Sequence, residues 1–340
     1  MSDLKVVYID EKNAWEKFVL SRPEANFLQS WNWGVFQKRM EKKVFPLGFD
    51  RDGQLVGVAL IVKETAKRGN YLTVAGGPLL DWEDRELELL FVSTLRRLAK
   101  EEKCLFVRVR SQLMNTQENR DRFSSLGFKE APMHLTADLT RQIDLTKTEE
   151  ELLMEMRKST RYEIRKADKE GVKIKMSSDP NEMEEFYTHQ LELAKRHGFV
   201  PFSKKFLTEQ FATFAKDDQA LLIHSYKNSQ LLASAFVIFY GVEAVYHYGV
   251  STAANSRLPG AYACQWAAIK MAKDMGMKRY NLWGVAPENS VNHRFYGVSI
   301  FKRGFGGEDV AHLPAQDLGI SKFYLLVKLF ESLRARARKL

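Results

Sequence analysis

The chain has 340 residues, 45% of them apolar and 28% charged, which excludes a disordered or fibrous chain and makes two domains the natural expectation. Its 52 basic against 43 acidic residues leave a net charge of +9, a field suited to polyanions such as nucleic acid, phosphorylated precursors or an anionic membrane face, without choosing among them. Cys104 and Cys264 stand alone and read as buried thiols in a reducing compartment, with no disulfide framework or metal-ligand spacing. No secretory leader or apolar run of bilayer length is visible, so a cytoplasmic protein is expected.

In chain order, residues 5–9 alternate like a strand and 13–21 read as a helix that Pro23 follows. Residues 27–33 lead into a second helix ending near Lys42, with Trp31 and Trp33 on different sides. Strands are expected over 46–50 and 54–64 around the turn Asp52-Gly53, then over 71–80, broken by Gly76-Gly77-Pro78. An amphipathic helix over 84–101 precedes a strand over 105–110 whose polar positions are Arg108 and Arg110. A short strand covers 143–145, and Thr146 is expected to cap one continuous helix over 149–170, ending before Gly171. That helix carries Arg157, Lys158, Arg161, Arg165, Lys166 and Lys169. Its basic side is either a solvated face or a surface for a phosphate-rich partner.

Two helices follow, over 181–197 and 203–216, separated by Gly198-Phe199-Val200-Pro201. Strands over 220–227, 230–240 and 243–251 surround the turn Asn228-Ser229; a helix over 259–275 stops at Gly276, and 278–283 reads as a buried strand. After the polar loop at Pro287, Glu288, Asn289 and Ser290, the chain is expected to return through Val298-Ser299-Ile300, hairpin fashion, to Phe301-Lys302-Arg303-Gly304-Phe305-Gly306-Gly307-Glu308. Lys302, between aromatics and beside glycines that permit close backbone approach, suits an anion that forms or binds there; locally it reads equally as a solvated hairpin cation, and Arg303 as structural. Residues 321–340 form an amphipathic helix closing on Arg334, Arg336, Arg338 and Lys339. Its stripe of Phe323, Leu326, Leu329 and Phe330 is expected to pack on the first domain, although the Arg-rich end also suits anionic lipid.

The halves resemble each other. Residues 52–60 echo 228–236, each in a hairpin followed by a third strand, a helix containing Ala-Lys (Ala99-Lys100, Ala272-Lys273) and another strand. Strand, hairpin, strand, helix, strand is the order of a mixed sheet with crossover helices, so the fold class is α/β with two duplicated mixed-sheet domains. The order is similar to that of the acetyltransferase superfamily. Arg257-x-x-Gly260 partly resembles its pyrophosphate loop, but Pro259 removes an amide and Tyr262 replaces a small residue, which argues against coenzyme A.

Over almost its whole length the chain resembles the Fem peptidoglycan-bridge aminoacyltransferases, in a compact form without the helical arm. The resemblance rests on Gln29-Ser30-Trp31-Asn32-Trp33, Gly76-Gly77-Pro78, residues 161–172, Tyr246-His247-Tyr248-Gly249, Asn281-Leu282-Trp283-Gly284-Val285 and residues 301–308. It implies two acetyltransferase-like domains, the first over 1–145 plus 318–340 and the second over 146–317, with the terminal helix returning to the first. It also implies a reaction in which an aminoacyl group moves from tRNA to the side-chain amine of the stem peptide in a muramyl pentapeptide precursor, nucleotide-linked or lipid-linked. The tetrahedral oxyanion needs a positive donor, which the resemblance assigns to Lys302. Phe301 would line the path to the tRNA acceptor end, and Tyr246 and Tyr248 the substrate cleft. No cofactor or metal is implied, aminoacyl-tRNA being the co-substrate, and tRNA would be held by Arg157, Lys158, Arg161, Arg165 and Lys166. Where relatives carry a phosphate-binding lysine this chain has Gln37, with Lys38 adjacent; a second phosphate-binding position falls near Phe202, with Lys204 and Lys205 close by. An acidic strand-end residue is replaced by Arg110. The alternatives are a coenzyme A-dependent or protein-directed acyltransferase of the same fold, or a non-catalytic RNA-binding module. A peripheral contact with the inner membrane face is a further option.

Overall fold

The computed structural model describes residues 3–67 and 69–337, so Arg338 and Lys339 lie outside the described residues. Each half is built on a meander set by tight turns. Asp52 (φ 52°) with Gly53 (φ 84°), and Asn228 (φ 49°) with Ser229 (φ 63°), give the paired left-handed residues of a two-residue hairpin, whose twist matches that of the flanking strands. The chain divides into two compact units. One comprises the chain up to Leu139, Pro287–Arg294 and the residues from Val310 on; the other comprises Thr140–Ala286 and Phe295–Asp309.

In the first sheet the strand order is Leu4–Tyr8, Val44–Arg51, Gln54–Glu64, Asn70–Ala75, Cys104–Arg110, Gln316–Gly319 and Lys129–Glu130, with Leu79–Leu80 also on Gln54–Glu64. Only Asn70–Ala75 and Cys104–Arg110 run parallel, and the helix Arg85–Glu101, capped by the Asp84 carboxylate on the Leu87 amide, makes the crossover between them. Phe49, Phe91, Leu95, Val107 and Phe123 fill the space between helix and sheet. The second sheet repeats the plan: Glu308–Ala311, Leu139–Asp144, Arg279–Gly284, Glu243–Ser251, Gln230–Tyr240, Ala220–Lys227 and Lys173–Ser177. Its parallel pair, Glu243–Ser251 with Arg279–Gly284, is joined by the helix Gly260–Asp274. In both sheets the strand after the crossover pairs antiparallel with a remote segment, Gln316–Gly319 in the first and Leu139–Asp144 in the second.

These pairings move the unit limits away from 145/146 and 317/318. Asp144, Ile143 and Gln142 pair with Arg279, Tyr280 and Asn281, which binds that strand to the second sheet. The expected helix over 149–170 is two helices, Glu149–Glu155 and Lys158–Lys169. Met156 breaks it with an extended backbone (ψ 147°), and the Arg161 guanidinium donates to the carbonyls of Leu153, Met154 and Met156 at the break. The cap is Thr148, in a reciprocal box with Glu151, while Thr146 turns back to Asp144. The expected return through Val298-Ser299-Ile300 is instead the helix Tyr296–Arg303. The helix Gln117–Ser125 and the strands Lys173–Ser177 and Gln316–Gly319 have no counterpart in the sequence reading.

The terminal helix, Tyr324–Ala337, also departs from expectation. Phe323, Leu326, Leu329 and Phe330 are all exposed rather than packed on the first unit. Its anchor is polar: Tyr324 Oη donates to Asp317 (2.9 Å), and Arg108 forks between Asp317 (2.7 and 2.8 Å) and Glu331 (2.7 Å). Arg108 and Asp317 are almost fully buried, so each carries the other's charge, and burial pushes the Asp317 carboxyl up. Arg110, one register on, is likewise buried and bonded to Gln112 Oε1 and the Ala137 carbonyl. Arg108→Ala would strand Asp317 in the interior and is expected to lower stability by roughly 3–5 kcal/mol, read as a shifted urea midpoint with an unchanged slope.

Candidate functional site

The parallel pair of the second sheet stays together for three rungs only: Glu243 beside Arg279, Ala244 beside Tyr280, Val245 beside Asn281. From the first rung Glu243 ties the pair together, accepting from Arg279 Nε (2.8 Å) and Asn281 Nδ2 (3.1 Å). Beyond it the strands part. On one side His247 is a bulge, since Tyr246 and Tyr248 face consecutive residues, Val237 and Phe236. On the other, the Trp283 amide donates to Asn281 Oδ1 (2.8 Å) and Trp283 takes φ 64°, a left-handed conformation that costs a bulky residue about 1–3 kcal/mol.

Gly284 still pairs with Thr140 on the other side of the strand, and Lys302 takes its carbonyl: Nζ donates to Gly284 O at 2.7 Å and lies 5.8 Å from the centre of the Tyr246 ring. Lys302 occupies the last turn of the helix Tyr296–Arg303 and is 8% exposed; burial pulls its ammonium down to about 7. One turn earlier Ser299 Oγ accepts from the Ala286 amide and donates to Phe295 O, both at 2.7 Å, which ties the helix to the end of the strand. Arg303 donates to Ala286 O and to Asp309 (2.6 Å), a carboxylate that Arg141 also holds (2.9 Å). Its bonds are those of a structural cation.

Around the bulge the side chains are aromatic. Tyr248 packs on Phe202 (5.3 Å between rings) and on His247 (4.0 Å), and His247 meets Trp283 edge-on (5.7 Å) with Nε2 2.8 Å from the Gln210 amide. Burial pushes His247 down to about 3, so the ring is neutral at physiological pH. Phe301 lies among Tyr262 (5.0 Å) and Phe305 (5.2 Å).

Of the residues singled out in the sequence, Lys302 and Tyr246 meet directly; Tyr248 lies opposite Phe236, next to Tyr246's partner Val237, and so points to the other face of the sheet, where it packs on Phe202. Lys204 forms an ion pair with Glu184. In the first unit Gln37 is buried with its side-chain oxygen unpaired among the described residues, and exposed Lys38 sits 5.9 Å from the centre of the Trp31 ring. The basic helix divides in two. Arg157 reaches the Ile300 carbonyl (3.1 Å) and Arg161 closes the helix break, whereas Lys158, Arg165 and Lys166 make no ion pair among the described residues. Arg157 also borders an open groove of about 850 Å³ where Arg141, Lys147, Lys278, Arg279 and Arg303 outnumber Asp144, Glu155 and Glu308, although Arg141, Lys147, Arg279 and Arg303 are held in ion pairs. His247, Trp283, Phe202 and Gln210 were given no role at this site from the sequence; His247 and Trp283 lie in motifs that carried the resemblance, whereas Gln210 had no signal. Among the described residues no group of His, Cys, Asp and Glu comes together that could hold a metal ion.

Two mixed sheets, each with one parallel crossover, define a tandem acetyltransferase-like protein. A tandem GNAT protein from the clavulanic acid biosynthesis pathway shares the fold with a TM-score of 0.60 at 10% identity, over 94% of this chain and 99% of that one. The crystal structure of FemX matches with a TM-score of 0.84 at 17% identity, over 96% and 100% of the two chains. The FemAB family model matches residues 11–224 and 205–330, and the chain belongs to that family. Aminoacyltransferase FemA of Staphylococcus aureus (strain MRSA252) is 23% identical over 320 residues, covering 70% of this chain and 76% of that protein.

The depressed Lys302 value has a measurable sign. Between about 7 and the ordinary 10.5, the unfolded chain binds a proton at this amine that the folded chain does not. Stability relative to Lys302→Met should therefore rise with pH across that window, by several kcal/mol in total, in paired denaturation curves; a flat difference would contradict the burial.

Proposed function

We propose that this FemAB protein is an aminoacyltransferase that takes its aminoacyl group from tRNA and delivers it to the side-chain amine of the stem peptide in a peptidoglycan precursor. Family membership supports aminoacyl transfer to such a precursor. The observation that carries the mechanism is the buried Lys302 amine, held at the mouth of the parted strands by the Gly284 carbonyl and faced by Tyr246.

In this reading the acceptor nitrogen attacks the ester carbonyl carbon. The carbon–oxygen bond to the tRNA ribose then breaks, and the leaving hydroxyl takes up the proton that the nitrogen gives up. Charge collects on the carbonyl oxygen in between, and the Lys302 ammonium, released from Gly284, neutralises it in a site where burial strengthens the interaction. Tyr246 offers a hydroxyl donor near it, Tyr248 is assigned to the substrate cleft, and Phe301 flanks the approach of the acceptor end. Lys158, Arg165 and Lys166, with the basic groove at Arg157, supply cations for the tRNA backbone. A coenzyme A carrier is disfavoured, because Pro259 provides no amide at the helix start and the Asn255 side chain already takes that of Ala261 (2.8 Å).

Purified protein incubated with mixed charged tRNAs and a nucleotide-linked or lipid-linked pentapeptide precursor should add one aminoacyl mass to the precursor. Lys302→Ala should slow the reaction roughly 10²–10³-fold. No gain with any pair, or an undiminished rate in the variant, would overturn the assignment. With a saturating acceptor, the wild-type rate should carry a step near pH 7 that Lys302→Arg, which stays protonated, removes.

A further inference from the structure

The terminal helix is amphipathic with its polar side inward. Tyr324, Lys328 and Glu331, at i, i+4 and i+7, all face the first sheet: Tyr324 bonds Asp317, Lys328 reaches the Glu130 carbonyl (3.1 Å) and Glu331 completes the Arg108 fork. The opposite side carries Leu325, Leu326, Leu329 and Leu333, between 58% and 67% exposed, with Phe323 at the helix start also more than half exposed. An apolar face of this size, turned outward by a buried ionic anchor, is a contact surface.

We infer that this face seats the protein on an anionic lipid bilayer, with the helix lying in the interface. Charge selects the occupant. Exposed Lys322 adjoins Phe323, and Arg334 lies next to the apolar face in the last turns; in sequence Arg336, Arg338 and Lys339 follow, on a chain of net charge +9. Cations flanking leucines and a phenylalanine are the two-signal combination that holds a helix at an anionic surface, whereas a second copy of the chain would bring the same cations against them. At 14 residues the helix is too short to cross a bilayer, and among the described residues no helix is long and apolar enough to do so. Its anchor to the sheet also holds it parallel to whatever it meets, because Tyr324 and Glu331 fix it at two points about two turns apart.

Flotation with vesicles of phosphatidylcholine alone, or with about one third phosphatidylglycerol, tests the surface. The intact protein should float with the anionic vesicles only and release as salt rises. Leu326→Glu with Leu329→Glu should weaken that binding at least about tenfold while leaving the melting temperature unchanged, since both side chains are already in water. Lys322→Glu with Arg334→Glu should weaken it as well. Failure of the intact protein to float, or binding that the leucine variant retains, would overturn the inference. So would a dimer in light scattering that the leucine variant dissociates, which would assign the face to a second copy. Aminoacyl transfer to a soluble nucleotide-linked acceptor should be the same in the leucine variant, so that loss of vesicle binding and loss of chemistry are read separately.

Discussion

The separation of two parallel strands after three rungs is the constraint on which the candidate site depends. Hydrogen bonds that would have continued the ladder are given up beyond Val245 and Asn281, and each strand disposes of the freed groups differently. The first inserts His247 as a bulge and so turns Tyr246 and Tyr248 toward consecutive positions of the neighbouring strand. The second folds on itself through Asn281 and the strained Trp283, and at Gly284, still paired with Thr140 on its other side, the carbonyl accepts from Lys302. Glu243, at the first rung, braces this short pairing, since its carboxylate gathers both Arg279 and Asn281.

A buried amine at that point faces opposing demands. Desolvation favours its neutral form and draws the ammonium down to about 7, while the Gly284 carbonyl and the Tyr246 ring are both better partners for the cation. No carboxylate makes an ion pair with Lys302 among the described residues; Asp309, the nearby acid in sequence, is committed to Arg303 and Arg141. A cation balanced in this way is poised to gain from an anion arriving beside it, because the anion restores the charge that burial suppresses. Arg303, one residue on and fully paired, has no such reserve.

The meanders were legible in the sequence because their signals are local. Paired left-handed residues at Asp52-Gly53 and Asn228-Ser229 announce the hairpins, and an alternating or apolar run on each side fixes the strands. The helix Tyr296–Arg303 was not. Val298, Ser299 and Ile300 have weak helix propensity, and what holds them is tertiary: Ser299 on the Ala286 amide and Lys302 on the Gly284 carbonyl. The bulge at His247 was equally hidden, because period-two alternation assumes an unbroken ladder. Arg108 shows the same limit over a longer span: its partners Asp317 and Glu331 lie more than two hundred residues away, so alternation identified a polar position but not that it faces the interior. That same ion cluster turns the polar side of the terminal helix inward, the reverse of what its apolar stripe predicts.

Comparison of the two halves shows why the site belongs to the second. In the first sheet the parallel pair runs from Asn70 beside Cys104 to Ala75 beside Arg110, reaching the ends of both strands with one shift of register between Asn70 and Leu72. Its strand-end cation, Arg110, is bound to Gln112 and Ala137 within its own unit. One plan has thus been used twice, closed in one copy and opened in the other. The closed copy retains its ladder hydrogen bonds and buries an ionic cluster that anchors the terminal helix. The open copy gives up rungs, takes on a strained tryptophan and buries an unneutralised lysine, all of which reduce stability. Such losses persist in a fold where something else benefits from them, and the group they expose together is Lys302.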